Sequence, residues 1–183
     1  MLPVPPRSAP ASFLEGVRLP KAIEADAAGP ALHATLRERA RRLWDGGALL
    51  MPTAAWSGAL VAALAQAERA GHLVRGLELA EKTLQREARG LSLADARSAT
   101  ERGARVSRLL IVGNDGTERF YRQVERLAQK HAPRLLTIRV DAASDQLASV
   151  VPHAAGVVRA LMLEHKDDVV RVLWALYARP PEV

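Results

Sequence analysis

The side chains able to do chemistry are few and scattered. Five histidines stand at positions 33, 72, 131, 153 and 165, and no two have the i, i+4 spacing that sets two imidazoles on one helix face. The run His165-Lys166-Asp167-Asp168 offers a nitrogen and two carboxylates. An acidic pair there also suits the positive end of a helix dipole, so it reads as a helix start. No carboxylate pattern completes a metal site, and neither a metal nor another cofactor is expected. The chain has no cysteine, which excludes disulfides, thiolate zinc sites and cysteine nucleophiles together. Ser57, Ser98, Ser107, Ser144 and Ser149 all lack a Gly-x-Ser-x-Gly context. The expectation is a protein that is not an enzyme.

Two stretches carry binding chemistry instead. Gly113-Asn114-Asp115-Gly116-Thr117 lies between an apolar run and a helical pattern, where open α/β sheets take ligands and helix N-termini attract anions. It has no Gly-x-Gly-x-x-Gly and no Lys-Ser/Thr pair, and Asp115 repels phosphate. Asn, Asp and Gly are also what a tight turn with a cap requires, and that is the reading preferred. Between Arg75 and Arg108 stand eight basic residues (75, 82, 86, 89, 97, 102, 105, 108) and five acidic ones (78, 81, 87, 95, 101), an excess of three positive charges. The whole chain has a formal net charge of +6, a balance that favours polyanions through counterion release. Arginine predominates among the basic residues throughout, so general base composition is the competing explanation.

The elements that must position these residues follow from periodicity and stop signals. Residues 1–30, with prolines at 3, 5, 6, 10, 20 and 30, read as a flexible tail in which Phe13, Leu14 and Val17 anchor a short piece. Helices are predicted over Ala31–Trp44, Thr53–Ala70 and Leu77–Arg89, the last stopped by Gly90. Ser92-x-x-Asp95 reads as a capping box that opens a fourth helix to Arg102. The unbroken apolar run Leu109–Val112 then signals a buried parallel strand. Further strands are predicted at Leu135–Val140 and Val157–Leu163. They alternate with helices over Thr117–His131, over Ser144–Val150 and from Asp167 onward. A β-α-β-α-β-α order calls for right-handed parallel crossovers. The expected architecture is a small α/β/α sandwich with mainly parallel strands over 106–183, preceded by a helical extension over 31–105 that packs on the sheet.

One phrase in this frame is suggestive. Ala70-Gly71-His72-Leu73-Val74-Arg75-Gly76 is followed six residues later by Lys82, and after the strand comes Ile111-Val112-Gly113-Asn114-Asp115-Gly116-Thr117. With Ser144 to Leu147 and Ala160 to Leu163, residues 60–165 resemble the kink-turn RNA-binding family of ribosomal proteins. That family has a phrase like Ala-Gly-Lys-Leu-Val-x-Gly, a lysine on an RNA-facing helix and a strand ending in Ala-Glu-Asp-Ala-Ser. The resemblance implies contacts to structured RNA from Arg75, Gly76, Lys82, Arg86 and Arg89, and from His153 in the loop before the last strand. The pattern departs at Glu78 and Leu79, where the family carries Asn-Glu. Leu79 cannot hydrogen-bond a guanine edge, and Glu78 repels phosphate. About 15 extra residues near 90–104 follow the RNA-facing helix, and the last loop reads Val151-Pro152-His153-Ala154-Ala155-Gly156.

The expected function is therefore non-catalytic binding of structured RNA. The alternative is a protein-interaction or regulatory module that keeps the fold, with a protein partner or a second copy of the chain docked on it. A small-molecule sensor at the Gly113–Thr117 turn comes third. The proline-rich start has no apolar signal-peptide core, and the longest apolar stretch, near Trp56–Leu64, is far short of the roughly 20 residues of a membrane span. A cytoplasmic location is the expectation.

Overall fold

The computed structural model describes residues 11–98, 104–153 and 156–177. Strands β1 (Ala11–Ser12), β2 (Ala40–Arg42), β3 (Leu49–Ala55), β4 (Leu73–Arg75), β5 (Arg108–Val112), β6 (Leu135–Asp141) and β7 (Ala160–Leu163) form one sheet. Its order is β1-β3-β6-β5-β7-β4, with β2 also paired to β3. The helices are α1 (Lys21–Glu24), α2 (Gly29–Glu38), α3 (Gly58–Arg69), α4 (Leu77–Ser98), α5 (Glu118–Lys130), α6 (Ser144–Val150) and α7 (Lys166–Tyr177). Leu109, Leu110, Ile111 and Val112 are all fully buried. Successive strand residues face opposite ways, so both faces of the sheet are covered, and the fold is an α/β sandwich. No helix of the described residues is long and apolar enough to cross a membrane.

The strands predicted after residue 105 are present, with one change of direction. β5 and β6 are parallel, Leu110 opposite Thr137. β7 runs antiparallel to β5, with Val112 opposite Ala160 and Leu109 opposite Leu163, so it is not a third parallel strand. β7 enters at the end where β5 finishes, so the connection through α6 stays at that end of the sheet and makes no crossover. Of the helices here, α5 is capped by Thr117, whose hydroxyl accepts from the Phe120 amide at 3.3 Å. It buries Tyr121, whose hydroxyl donates to the Gly113 carbonyl at 2.9 Å, and leaves Phe120 partly buried.

Ahead of residue 106 the reading changes more. This region supplies β1–β4 to the sheet, so it is not a purely helical extension. The predicted helix over 31–44 ends at Glu38, and Ala40–Arg42 pairs antiparallel with Leu50–Pro52. Leu43 is still buried, so a strand satisfies the apolar spacing that reads as a helix. Thr53 caps nothing. It lies in β3, opposite Arg139, and its amide and hydroxyl both donate to the Arg39 carbonyl. The cap of α3 is Ser57, whose hydroxyl accepts from the Leu60 amide at 3.2 Å. Pairing on both sides of β3 has overridden the helix propensity of Ala54 and Ala55.

Two further corrections concern continuity. α4 runs unbroken for 22 residues through Gly90, so Ser92 and Asp95 lie inside a helix and open none. The described part of the proline-rich segment is packed rather than free. β1 lies parallel on β3, the Val106 amide donates to the Arg18 carbonyl at 2.9 Å, and Phe13, Leu14, Leu19 and Ile23 are buried. Val17, the third expected anchor, is partly buried against the same core. Residues 1–10 lie outside the described residues.

Two variants test these corrections. Leu14→Ala should lower the free energy of unfolding in urea by about 2–4 kcal/mol, as a buried leucine does, whereas a loose tail would give a change near zero. At Gly90 an added Cβ meets nothing within 4 Å and φ is not positive. Gly90→Ala should then raise stability by about 0.5–1 kcal/mol, and a loss instead would mean that the helix stops there.

Candidate functional site

The stretches singled out by the family resemblance meet through β4 and β7. Arg75 stands opposite Leu161, and the next residue, Gly76, donates its amide to the Ala160 carbonyl at 2.9 Å. Gly76 turns the chain into α4 with φ +79°, a left-handed value that favours glycine. The Gly113 amide, at the end of β5, donates to the Arg159 carbonyl at 3.0 Å. The β4–α4 turn is thus held beside the loop that precedes β7. Arg75 and His153 are exposed, and His153 also has positive φ. Leu79, in the first turn of α4, is 52% exposed, and Val157, in the loop, is 64% exposed.

Lys82 is exposed one turn further on and bonds Glu78 at 2.8 Å in an i, i+4 pair. The Glu78 hydrogen bond and charge hold the Lys82 ammonium above its usual range, and Lys82 in turn lowers the Glu78 carboxyl. The remaining two basic candidates do not join this group. At about 1.5 Å per residue, Arg86 lies about 15 Å and Arg89 about 20 Å along α4 from Gly76. Between them Glu87 faces the opposite end of the sheet, where it pairs with Arg108 at 2.9 Å and Arg134 at 3.2 Å. A cleft at that end is lined by Arg105, Arg108, Arg134 and Lys166. Arg105 is itself paired with Glu24, so three of these four cations already have carboxylate partners. Arg102 lies outside the described residues.

The Gly113–Thr117 turn sits at the carboxyl ends of β5 and β6, but its own side chains fill the crevice. Asp115 accepts from the Ser144 amide at 3.0 Å and the Ser144 hydroxyl at 2.6 Å, and Asn114 donates to Asp141 at 2.7 Å. A Cβ on Gly113 would lie 2.9 Å from the Ala142 carbonyl oxygen, so the two loops are in close contact. Partial burial pushes the Asp115 carboxyl up, but the Ser144 hydroxyl and amide outweigh it and leave it below its ordinary value. The turn is tied to the loop after β6 and serves as a structural turn.

One constellation escapes any reading based on local spacing. The antiparallel register of β4 and β7 continues past Leu73–Leu163, and the Glu164 amide donates to the His72 carbonyl at 3.1 Å. His72 and His165 consequently stack, with ring centroids 4.5 Å apart and an interplanar angle of 16°. Asp168, in the first turn of α7 and only 5% exposed at its side chain, bonds His72 Nδ1 through Oδ2 at 2.6 Å. Arg171 pairs with the other carboxylate oxygen. The spacing of the histidines along the chain gives no hint of this, because 93 residues separate His72 from His165 (165 − 72). Only by reading His72-Leu73-Val74 as a strand, and by finding its partner, does one bring them together. His131, partly buried elsewhere in the fold, has an Nε2 without a hydrogen-bond partner, and burial lowers its pKa.

The depressed Asp115 carboxyl gives a pH-dependent contribution to stability. A folded pKa below the unfolded value of about 3.9 means that the contribution is present above that pH and is lost as pH falls through the folded pKa. Asp115→Ala should be less stable than the parent by up to about 1 kcal/mol near pH 7, and the difference in urea midpoint should vanish by about pH 2. An equal difference at both pH values would show that the carboxylate charge does not carry it.

No protein-family model matches this sequence and no curated protein matches it, so a functional reading rests on these surfaces alone.

Proposed function

We propose that this chain binds structured RNA without catalysis, through the surface made by the β4–α4 turn and the loop before β7. The observation that carries the reading is the bond from the Gly76 amide to the Ala160 carbonyl. It unites two stretches, over 80 residues apart, that the family resemblance independently marks as RNA-facing. Arg75 and Lys82 supply phosphate contacts, and His153 a contact from the loop. Leu79 and Val157 supply apolar surface against bases that a sharp kink splays out of the stack. The Glu78–Lys82 pair is no barrier, since it is exposed and screened by solvent and a phosphate can replace it. Arg86 and Arg89 extend the basic line along α4 as peripheral contacts, and the net charge of +6 assists association.

The same surface supports a second reading. Leu79 is exposed where the family carries a polar residue, Val157 is exposed beside it in the loop, and Lys82 already has a carboxylate partner. A surface of that kind suits a protein partner that keeps the fold and discards the RNA.

Fluorescence anisotropy with a labelled kinked RNA stem and an unkinked control, at two salt concentrations, separates the two. The RNA reading expects preference for the kinked stem that survives the higher salt. Arg75→Ala and Lys82→Ala should each weaken binding and reduce the salt slope by about one, with Arg89→Ala doing less. Equal and salt-sensitive binding to both stems, or none, would overturn it in favour of the protein-docking reading.

A further inference from the structure

At the other end of β4 and β7 the geometry points to a metal site. We propose that His72, His165 and Asp168 bind one divalent transition-metal ion of the zinc class. This inference is independent of the RNA reading. Each residue offers one donor atom, and the three atoms lie within 4.8 Å of one another. Among the described residues this is the one such group of three or more.

The donor set is chemically suited. Two imidazole nitrogens and a carboxylate oxygen are ligands that zinc accepts at about 2.0–2.1 Å, which for tetrahedral geometry sets neighbouring donors about 3.3 Å apart. Asp168 Oδ2 lies 2.6 Å from His72 Nδ1 and 3.9 Å from His165 Nδ1, values that bracket this spacing. The stacked rings, at an interplanar angle of 16°, must turn out of their stack so that both nitrogen lone pairs meet at one ion, a side-chain rearrangement that their partly exposed positions permit. For His72 Nδ1 to bond the ion, the ring's one proton would sit on Nε2, and any proton held between Nδ1 and Asp168 would pass to solvent.

The surroundings hold the set in place. His72 follows Gly71, which ends the α3–β4 turn with φ +73°, and His72 is fixed by its carbonyl bond from Glu164. Arg171 orients the Asp168 carboxylate from the oxygen that the ion does not need, as outer partners of ligating carboxylates do. Its positive charge opposes the ion, while Asp167, 3.9 Å from His165 Nδ1, adds negative charge on the solvent side. The His72 and His165 side chains are 35% and 45% exposed, so an ion reaches the site from solvent and keeps water in its fourth position. Bound there, it would tie the short edge strand β4 to β7 and α7.

The test uses the full chain, titrated with cobalt(II) and zinc(II) near neutral pH. We expect one equivalent of cobalt to give the intense visible absorption of a tetrahedral N/O site and zinc to displace it. Calorimetry should give a 1:1 zinc complex. His165→Gln, whose side chain makes no hydrogen bond of its own in the fold, should weaken zinc binding at least tenfold while circular dichroism stays unchanged. His72→Gln should do the same, and His33→Ala and His153→Ala should leave binding intact. Absence of zinc binding at tens of micromolar to folded protein would overturn the proposal. So would binding that survives both His72→Gln and His165→Gln.

Discussion

The fold depends on covering β5 from both sides. Four consecutive apolar residues, Leu109 to Val112, have no exposed surface, and alternate ones face opposite layers. Their burial requires β6 and β7 as neighbours in the sheet and helices above and below it. α7 lies across this strand with Val169, Val172, Leu173 and Leu176 buried, and α5 contributes Val124, Leu127 and Ala128. At about 1.5–3 kcal/mol for each large aliphatic side chain withdrawn from water, this centre outweighs any surface ion pair in the molecule. Polar detail is arranged around it, as in the Gly113–Thr117 turn, whose Asp115 carboxylate and Asn114 amide join it to the loop after β6.

A three-residue strand then decides where chemistry can occur. β4 covers only about 10 Å, and its antiparallel pairing with β7 brings a different set of residues together at each end. Past Arg75, the Gly76 turn meets the loop before Ala160 and exposes a mixed basic and apolar surface. Before Leu73, His72 meets His165 and Asp168. The two surfaces share a strand and so share a register, since a slip by one residue would turn every side chain of β4 to the other face. Edge position also matters, because among the described residues one side of β4 has no further strand to screen it.

The basic residues show how charge along a sequence differs from charge on a surface. Arg75, Lys82, Arg86 and Arg89 look like one patch when read as a line, yet α4 spreads them over about 20 Å. Glu87 lies between Arg86 and Arg89 and faces inward to Arg108 and Arg134, where its single carboxylate pairs with two of the cations that looked available for phosphate. Glu24 pairs with Arg105 from the N-terminal segment. Several of the basic residues are thus engaged within the fold, while the net positive charge remains.

What the sequence determined by itself is what local pattern encodes. The apolar runs at Leu109–Val112 and Leu135–Val140 marked strands, and Thr117 and the Asp167-Asp168 pair marked helix starts. The absence of cysteine and the net charge restricted the chemistry. Tertiary structure alone decided the direction of β7, the strand state of Leu49–Ala55, the passage of α4 through Gly90 and the meeting of His72 with Asp168. The physical reason is the same in each case. Periodicity and capping involve residues within a turn or two, whereas a strand's partner and direction depend on hydrogen bonds to distant segments. Ala54 and Gly90 have local preferences of about 1 kcal/mol or less, which such pairing and packing readily override.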